Sequence, residues 1–245
     1  MTDGQGCYPA SMASLDSVIQ KLYRAKHHYL ELEEELRAYY TAEETVQIRP
    51  AERGFDVGNV GAVPARFGLI AGDILQCMRS SLDYLVWELV LANGEQPGIQ
   101  NAFPISWTVS NYKNEITNRK RLNGVDPGAC ALIDMLQPLC LPEAEREKSP
   151  LAVLDKLTNI NKHRRVLLTN LKRVVIEGEP LPFPHILSDL KGTMPDGVKH
   201  TFVTFGFYVA LGESVVSGSE IGTALNLFGD YIGNEVLPLF EKFFE

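Results

Sequence analysis

Apolar residues recur at spacings of three and four from the start of the first long segment. Leu15, Val18, Leu22, Ala25, Tyr29, Leu32 and Leu36 form one stripe of a helix, with the acidic run at 33–35 largely outside it. The spacing predicts a helix over 15–41. Past Thr41 the period is lost, and TVQIRP and GFDVGNVGAV, extended and rich in turn residues, predict a small hairpin within 45–63. Pro64 opens a second helix over 66–92. Its core arc is Leu75, Met78, Leu82, Leu85, Val86 and Leu89, and Asn93-Gly94 stops it. NAFPISW reads as an extended crossing segment. Two shorter helical stretches follow, near 109–121 and 127–137, then an acidic loop, LPEAEREKSP.

Ser149 as cap and Pro150 at the first position begin a helix over 150–171, with Leu154, Leu157, Ile160, Leu167, Leu168 and Leu171 on its apolar arc. Beyond Lys172 the signal becomes β-like. RVVIEG is β-branched, PLPFPH is a turn, and Val203, Phe205, Phe207, Val209 and Leu211 alternate as in a strand. A last amphipathic helix spans 220–244, perturbed at Gly229 and Gly233. The order predicts a mainly α protein, a helical bundle with a small antiparallel β element, and not an alternating βαβ fold. We read it as a single domain over 1–245, with a helical core at 14–171 and a β/α extension at 172–245.

Two polar intrusions interrupt this pattern. In NINKHRRVL, residues 159–167, Asn161 and Arg164 project into or beside the apolar arc, with His163 on the other flank. Asp155, Asn159 and Lys162 share the opposite side. A buried amide or guanidinium is costly unless paired, so Asn161 and Arg164 require partners from a neighbouring element. On the second helix, Gln76, Arg79 and Asp83 edge the core arc, and Arg79 and Asp83 lie four apart on one face. The expectation is a shared cluster. Asp83, Asn161 and Arg164 are its structural members, with Asp83 binding Arg164 bidentately. Arg79 and His163 are the candidate catalytic pair, and Lys162 and Arg165 the candidate ligand-binding cations.

Composition narrows the chemistry. The chain of 245 residues carries a formal net charge of -8, with 45% hydrophobic and 22% charged residues, an ordinary globular balance. An acidic surface disfavours general affinity for nucleic acid or anionic membrane, leaving only a local basic site for RNA. Cys7, Cys77, Cys130 and Cys140 are scattered, without the paired spacing of a zinc site or a disulfide framework. No metal and no cofactor is implied. His27 and His28 read as surface residues, and His185 and His200 are isolated. No Ser-His-Asp order, P-loop, GxGxxG or HExxH occurs. The N-terminus does not read as a signal peptide and no apolar run approaches the ~20 residues of a membrane span, so the expected location is the cytoplasm.

Five segments then resemble a family. YRAKHHYLELEEEL, GLIAGDILQCMRSSLDYLVWELVLANG, NAFPI, LQPL and LDKLTNINKHRRVLL, spanning about residues 20–170, are similar in order and spacing to a widespread group of bacterial and phage proteins of uncharacterised activity. In that group the second segment reads like GD-x-x-HNLRSALDH, and the last carries the same NKHR. RSALDH has the Arg-x4-His shape of the helical HEPN nucleases and their inactive relatives. The resemblance implies a HEPN-like helical fold and a homodimer. In catalytic members it implies a metal-independent ribonuclease whose arginine and histidine face RNA from both subunits. Carried over, the arginine is Arg79 and the acidic residue Asp83. Tyr84 stands at the histidine position and Gln76 at that of the preceding histidine, leaving His163 as the one histidine in a shared motif. The first expectation is therefore a non-catalytic helical binding or interaction protein, with a protein partner, acting in phage–host conflict. The alternatives are a HEPN-like ribonuclease and an enzyme acting on a small phosphorylated substrate or nucleotide.

Overall fold

The computed structural model describes residues 13–41, 46–51, 54–60, 62–163, 167, 169–177, 203–212 and 219–245. Among them the protein is mainly α-helical, a bundle of seven α-helices: α1 (Asp16–Thr41), α2 (Ala65–Ala92), α3 (Val109–Lys113), α4 (Pro127–Met135), α5 (Glu143–Arg146), α6 (Pro150–His163) and α7 (Ile221–Asp230). Two antiparallel strand pairs accompany them. β1 (Val46–Ala51) pairs with β2 (Gly54–Val60), with an irregularity between Val46 and Ile48. β3 (Thr169–Glu177) pairs with β4 (Val203–Leu211) through nine residue pairs, from Thr169–Leu211 to Glu177–Val203.

The helix ends follow local chemistry. At the C-terminus of α2, Gly94 has φ +77°. Its N–H donates to the Leu91 carbonyl at 2.9 Å, and Glu95 N–H to the Val90 carbonyl at 3.1 Å. That is a Schellman closure, in which a glycine without a Cβ takes the left-handed position. At the start of α6, Ser149 Oγ accepts from Ala152 N at 3.4 Å, with Pro150 in the first turn. Asp126 caps α4 in the same manner, accepting from Gly128 N at 2.7 Å.

Three expectations are corrected. The helix expected over 150–171 has His163 as its last residue, and Thr169, Asn170 and Leu171 lie in β3. Their helical spacing is outweighed by nine residue pairs with β4, because local period is a weak prior against a complete strand ladder. The acidic loop contains the short helix α5. The stretch expected as a helix over 109–121 is α3 continued by a π-helical turn, Asn114–Asn118. The final helix is broken as its glycines suggested: α7 passes into a π turn, Tyr231–Val236, and then into 3-10 turns.

Two compact units divide the chain, one formed by residues 1–24, 76–155 and 228–245, the other by 25–75 and 156–227. In the first, Leu82, Leu85 and Leu89 of α2 are fully buried along with Phe103, Ile133, Leu151, Ile232 and Phe240. In the second, Leu32 and Leu36 of α1, Phe67, Ile74 and Leu75 of α2, and Leu157 of α6 form the interior with Ile221 and Leu225 of α7. The stripe read for α2 is buried throughout and that of α1 is buried except at the half-buried Leu15 and Leu22; of the arc read over 150–171, Leu154 and Leu157 are buried within α6 and Ile160 is half-buried. Such burial stabilises by about 25 cal/mol for each Å² of apolar surface removed from water.

Candidate functional site

The sequence selected Arg79 and Asp83, and the structure places them together in the first unit. Arg79 Nη1 donates to Asp83 Oδ1 at 2.6 Å, the i,i+4 pairing of one helix face. What the sequence did not anticipate is the third member. Phe103 N–H donates to the same Asp83 Oδ1 at 2.9 Å, while Arg79 Nη2 donates to the Phe103 carbonyl at 2.8 Å. The two side chains present one acceptor and one donor to a single residue, as a neighbouring strand edge would. Asp155 of α6 completes the surroundings, its Oδ1 lying 3.8 Å from Arg79 Nε.

The reason lies in the NAFPIS segment, which lies between α2 and α3 and is neither helix nor strand. Its backbone groups must be satisfied by other means wherever they are buried. Gln137, 1% exposed, does this twice: its Oε1 accepts from Ser106 N at 3.0 Å, and its Nε2 donates to the Pro104 carbonyl at 2.9 Å. The same Nε2 also donates to the Ile133 carbonyl at 3.0 Å. Asn101 ties the start of the segment to the loop that precedes α4. Its Oδ1 accepts from Gly98 N at 2.8 Å, and its Nδ2 donates to the carbonyls of Arg121 and Asn123 at 3.2 and 2.9 Å. RSSLD, NAFPI and LQPL, three of the segments that carry the family resemblance, therefore meet in one hydrogen-bonded clamp that pins Phe103 in the core.

Asn161 belongs to the second unit and answers a different need. A Cβ built on Gly72 would fall 2.5 Å from both Asn161 Nδ2 and Oδ1, so the amide of α6 lies directly against the backbone of α2. A glycine inside a helix costs about 1 kcal/mol relative to alanine, which close approach offsets. The legible signal was the Gly-Asp pair that opens the family pattern. Gly72→Ala is accordingly expected to destabilise by about 1–3 kcal/mol despite its better helix propensity. Asn161→Ala in the same chain should recover most of the loss. Urea midpoints of the two single variants and the double variant measure the coupling, and a Gly72→Ala protein more stable than the parent would refute the contact.

The remaining candidates are scattered or lie outside what is described. Lys162 is exposed at the end of α6; the side chain of His163, and Arg164 and Arg165 altogether, lie outside the described residues, as does the expected Asp83–Arg164 pair. Tyr84, at the family's histidine position, is 42% exposed, with the Lys21 ammonium 5.1 Å from its ring centroid. Gln76, at the other histidine position, donates to Ser80 Oγ at 3.2 Å. Asp155, placed by the helical wheel on the face away from the apolar arc, is half-buried beside Arg79. His28 is also half-buried, with Nδ1 3.2 Å from Glu31.

Chemically, the clamp uses its cation internally. Stabilising a phosphoryl transition state requires guanidinium N–H groups aimed at non-bridging oxygens. Here Nη1 and Nη2 donate to protein oxygens, and a second carboxylate stands beside Nε. An incoming phosphate would meet two carboxylates around one guanidinium. Burial, reinforced by Asp134 and Asp126, pushes the Cys130 thiol up, away from thiolate chemistry. No group of three or more His, Cys, Asp or Glu among the described residues could hold a metal ion, and no helix among them is long and apolar enough to cross a membrane. A polar depression of about 520 Å³ lies elsewhere, along Ser110, Asn111, Lys113, Asn114, Thr117 and Asn118, and includes none of the residues selected from the sequence.

Fold and clamp together define the class as a mainly α-helical bundle in which the segment after α2 is clamped by hydrogen bonds from Arg79, Asp83 and Gln137. No protein-family model, curated protein or solved structure matches the chain.

Proposed function

We propose that this protein is a non-catalytic, HEPN-like helical binding or interaction protein with a protein partner, working in the cytoplasm in phage–host conflict. One observation supports the non-catalytic part above others: the arginine that a HEPN-type nuclease would turn toward RNA donates instead to Asp83 and to the Phe103 carbonyl. The two histidine positions of the same helix hold Gln76 and Tyr84, so the helix carries neither imidazole of that pattern. The RSSLD motif then persists for folding, and the function resides on the surface.

The test is incubation of the purified full chain with single-stranded RNA, with and without EDTA, alongside Arg79→Lys and His163→Ala. The expected result is no cleavage by any of the three. Cleavage that survives EDTA and is lost in His163→Ala would replace this reading with the ribonuclease one. Turnover of a nucleotide or other small phosphorylated compound, lost in Lys162→Ala, would replace it with the third.

A further inference from the structure

A basic segment of this acidic chain carries the polar depression. Between residues 109 and 124, Lys113, Arg119, Lys120 and Arg121 stand against one acid, Glu115, while the whole chain carries a formal charge of -8. Glu115 is occupied by the two arginines, its Oε1 lying 3.1 Å from Arg119 Nη1 and its Oε2 3.0 Å from Arg121 Nε. Lys113 and Lys120 are exposed and form no ion pair among the described residues. Tyr112 anchors the segment, its hydroxyl donating to Asp134 of α4. The backbone is unusual at the same place. The π turn Asn114–Asn118 is an arrangement frequent at functional sites. Just past it Lys120 holds φ +52°, the left-handed region where glycine meets no Cβ penalty. A lysine fits that position worse than a glycine, and its ammonium pairs with nothing in the described fold.

The lining of the depression is hydroxyls, carboxamides and one ammonium, with no aromatic ring. Asn111, Asn114 and Asn118 recur along it at spacings of three and four. Asn118 Nδ2 donates to Asn114 Oδ1 at 2.8 Å, and the Asn111 carboxamide has no hydrogen-bond partner among the described residues. A carboxamide offers one acceptor and a pair of donors, the groups that match an extended main chain. Asn101 and Gln137 already use theirs in this way within the fold. Nucleic acid fits the surface less well. No ring is there for a base to stack on, and a pair of unpaired lysines matches few phosphates. We propose that the face formed by residues 110–120 docks a short acidic segment of a partner protein in extended form. The asparagines meet its main chain, and Lys113 and Lys120 meet its carboxylates. This rests on the reading of the protein as a binding protein and names the chemistry of its partner.

The test is fluorescence anisotropy of a labelled decapeptide that alternates glutamate and threonine, titrated with the full chain at low salt. Saturable binding is expected, lost when glutamine replaces glutamate and weakened as salt is added. Lys113→Glu should raise the dissociation constant about tenfold or more, and Lys148→Glu, the same charge change at an exposed position outside the depression, should leave it within about twofold. Asn111→Ala should weaken binding several-fold with the urea midpoint unchanged. Lys120→Gly should lower the affinity while the urea midpoint holds or rises, because the glycine relieves the left-handed position. No saturable binding of the glutamate peptide, or an equal loss in Lys113→Glu and Lys148→Glu, overturns the site. Decauridylate that binds more tightly than the peptide and competes with it overturns the protein partner in favour of nucleic acid. Cleavage in the RNA assay above would remove the binding-protein reading without moving these titrations, so the two fail separately.

Discussion

Gln137→Leu is expected to lower the free energy of unfolding by about 3–4 kcal/mol, although leucine nearly matches glutamine in volume. The side chain is 1% exposed and serves three backbone groups: Ser106 N–H, the Pro104 carbonyl and the Ile133 carbonyl. A buried donor or acceptor stripped of its partner costs about 1–3 kcal/mol. Of the three, the Ser106 N–H is the most demanding, since a single proton has no second partner to turn to. Urea unfolding of Gln137→Leu beside Gln137→Glu separates this from packing. Glutamate retains an acceptor for Ser106 but loses the amide donor and, when ionised, buries a charge against the Pro104 and Ile133 carbonyls, so it should destabilise at least as much as leucine does. A Gln137→Leu protein within 0.5 kcal/mol of the parent, about the spread of neutral surface changes, would mean that the segment is held by Phe103 packing and the Arg79, Asp83 and Asn101 bonds without Gln137.

Asp83→Ala ranks next, at about 2–3 kcal/mol. The change removes the carboxylate whose Oδ1 accepts from both, and so strands two donors, Arg79 Nη1 and Phe103 N–H. Asp83 is 39% exposed at its side chain, so water reaches part of the site, and the loss falls below the 3–5 kcal/mol typical of a broken, fully buried ion pair. Asp83→Asn should lose less, because its amide oxygen still accepts from Phe103. The diagnostic is nonadditivity. Arg79→Ala and Asp83→Ala act on one network, so the double variant should be less damaged than the sum of the single variants. Strict additivity, measured by chemical denaturation, would show that the two residues stabilise the fold separately.

These effects place the motif residues in the folding of the segment they surround. The same network would also move with any change in Asp155, whose carboxylate stands near Arg79 Nε. The resemblance that suggested a nuclease and the clamp that occupies its arginine thus involve the same residues. Activity assays alone on Arg79 variants would confound loss of chemistry with loss of stability. The Lys162 variant, at an exposed position, avoids that confusion.

The sequence by itself determined what depends on neighbours three or four positions away. The apolar stripes of α1 and α2, the Asn93-Gly94 stop, the Ser149-Pro150 start and the Arg79–Asp83 pair are all local, because helical period, caps and i,i+4 contacts are set within one or two turns. The α6 boundary was not legible. Leu167, Leu168 and Leu171 keep the helical spacing, and only the distant partner strand Val203–Leu211 converts Thr169–Leu171 to β3. Nor could the sequence say what Arg79 and Asp83 bind. Their partner is the backbone of Phe103, and a backbone N–H and carbonyl leave no mark in a string of side chains. Asp155 was assigned to the far face of its helix because a helical wheel records one buried side and cannot see a second neighbour. Gly72 and Asn161 stand 89 positions apart, and their fit follows from the distance at which two helices pass, which tertiary packing alone decides.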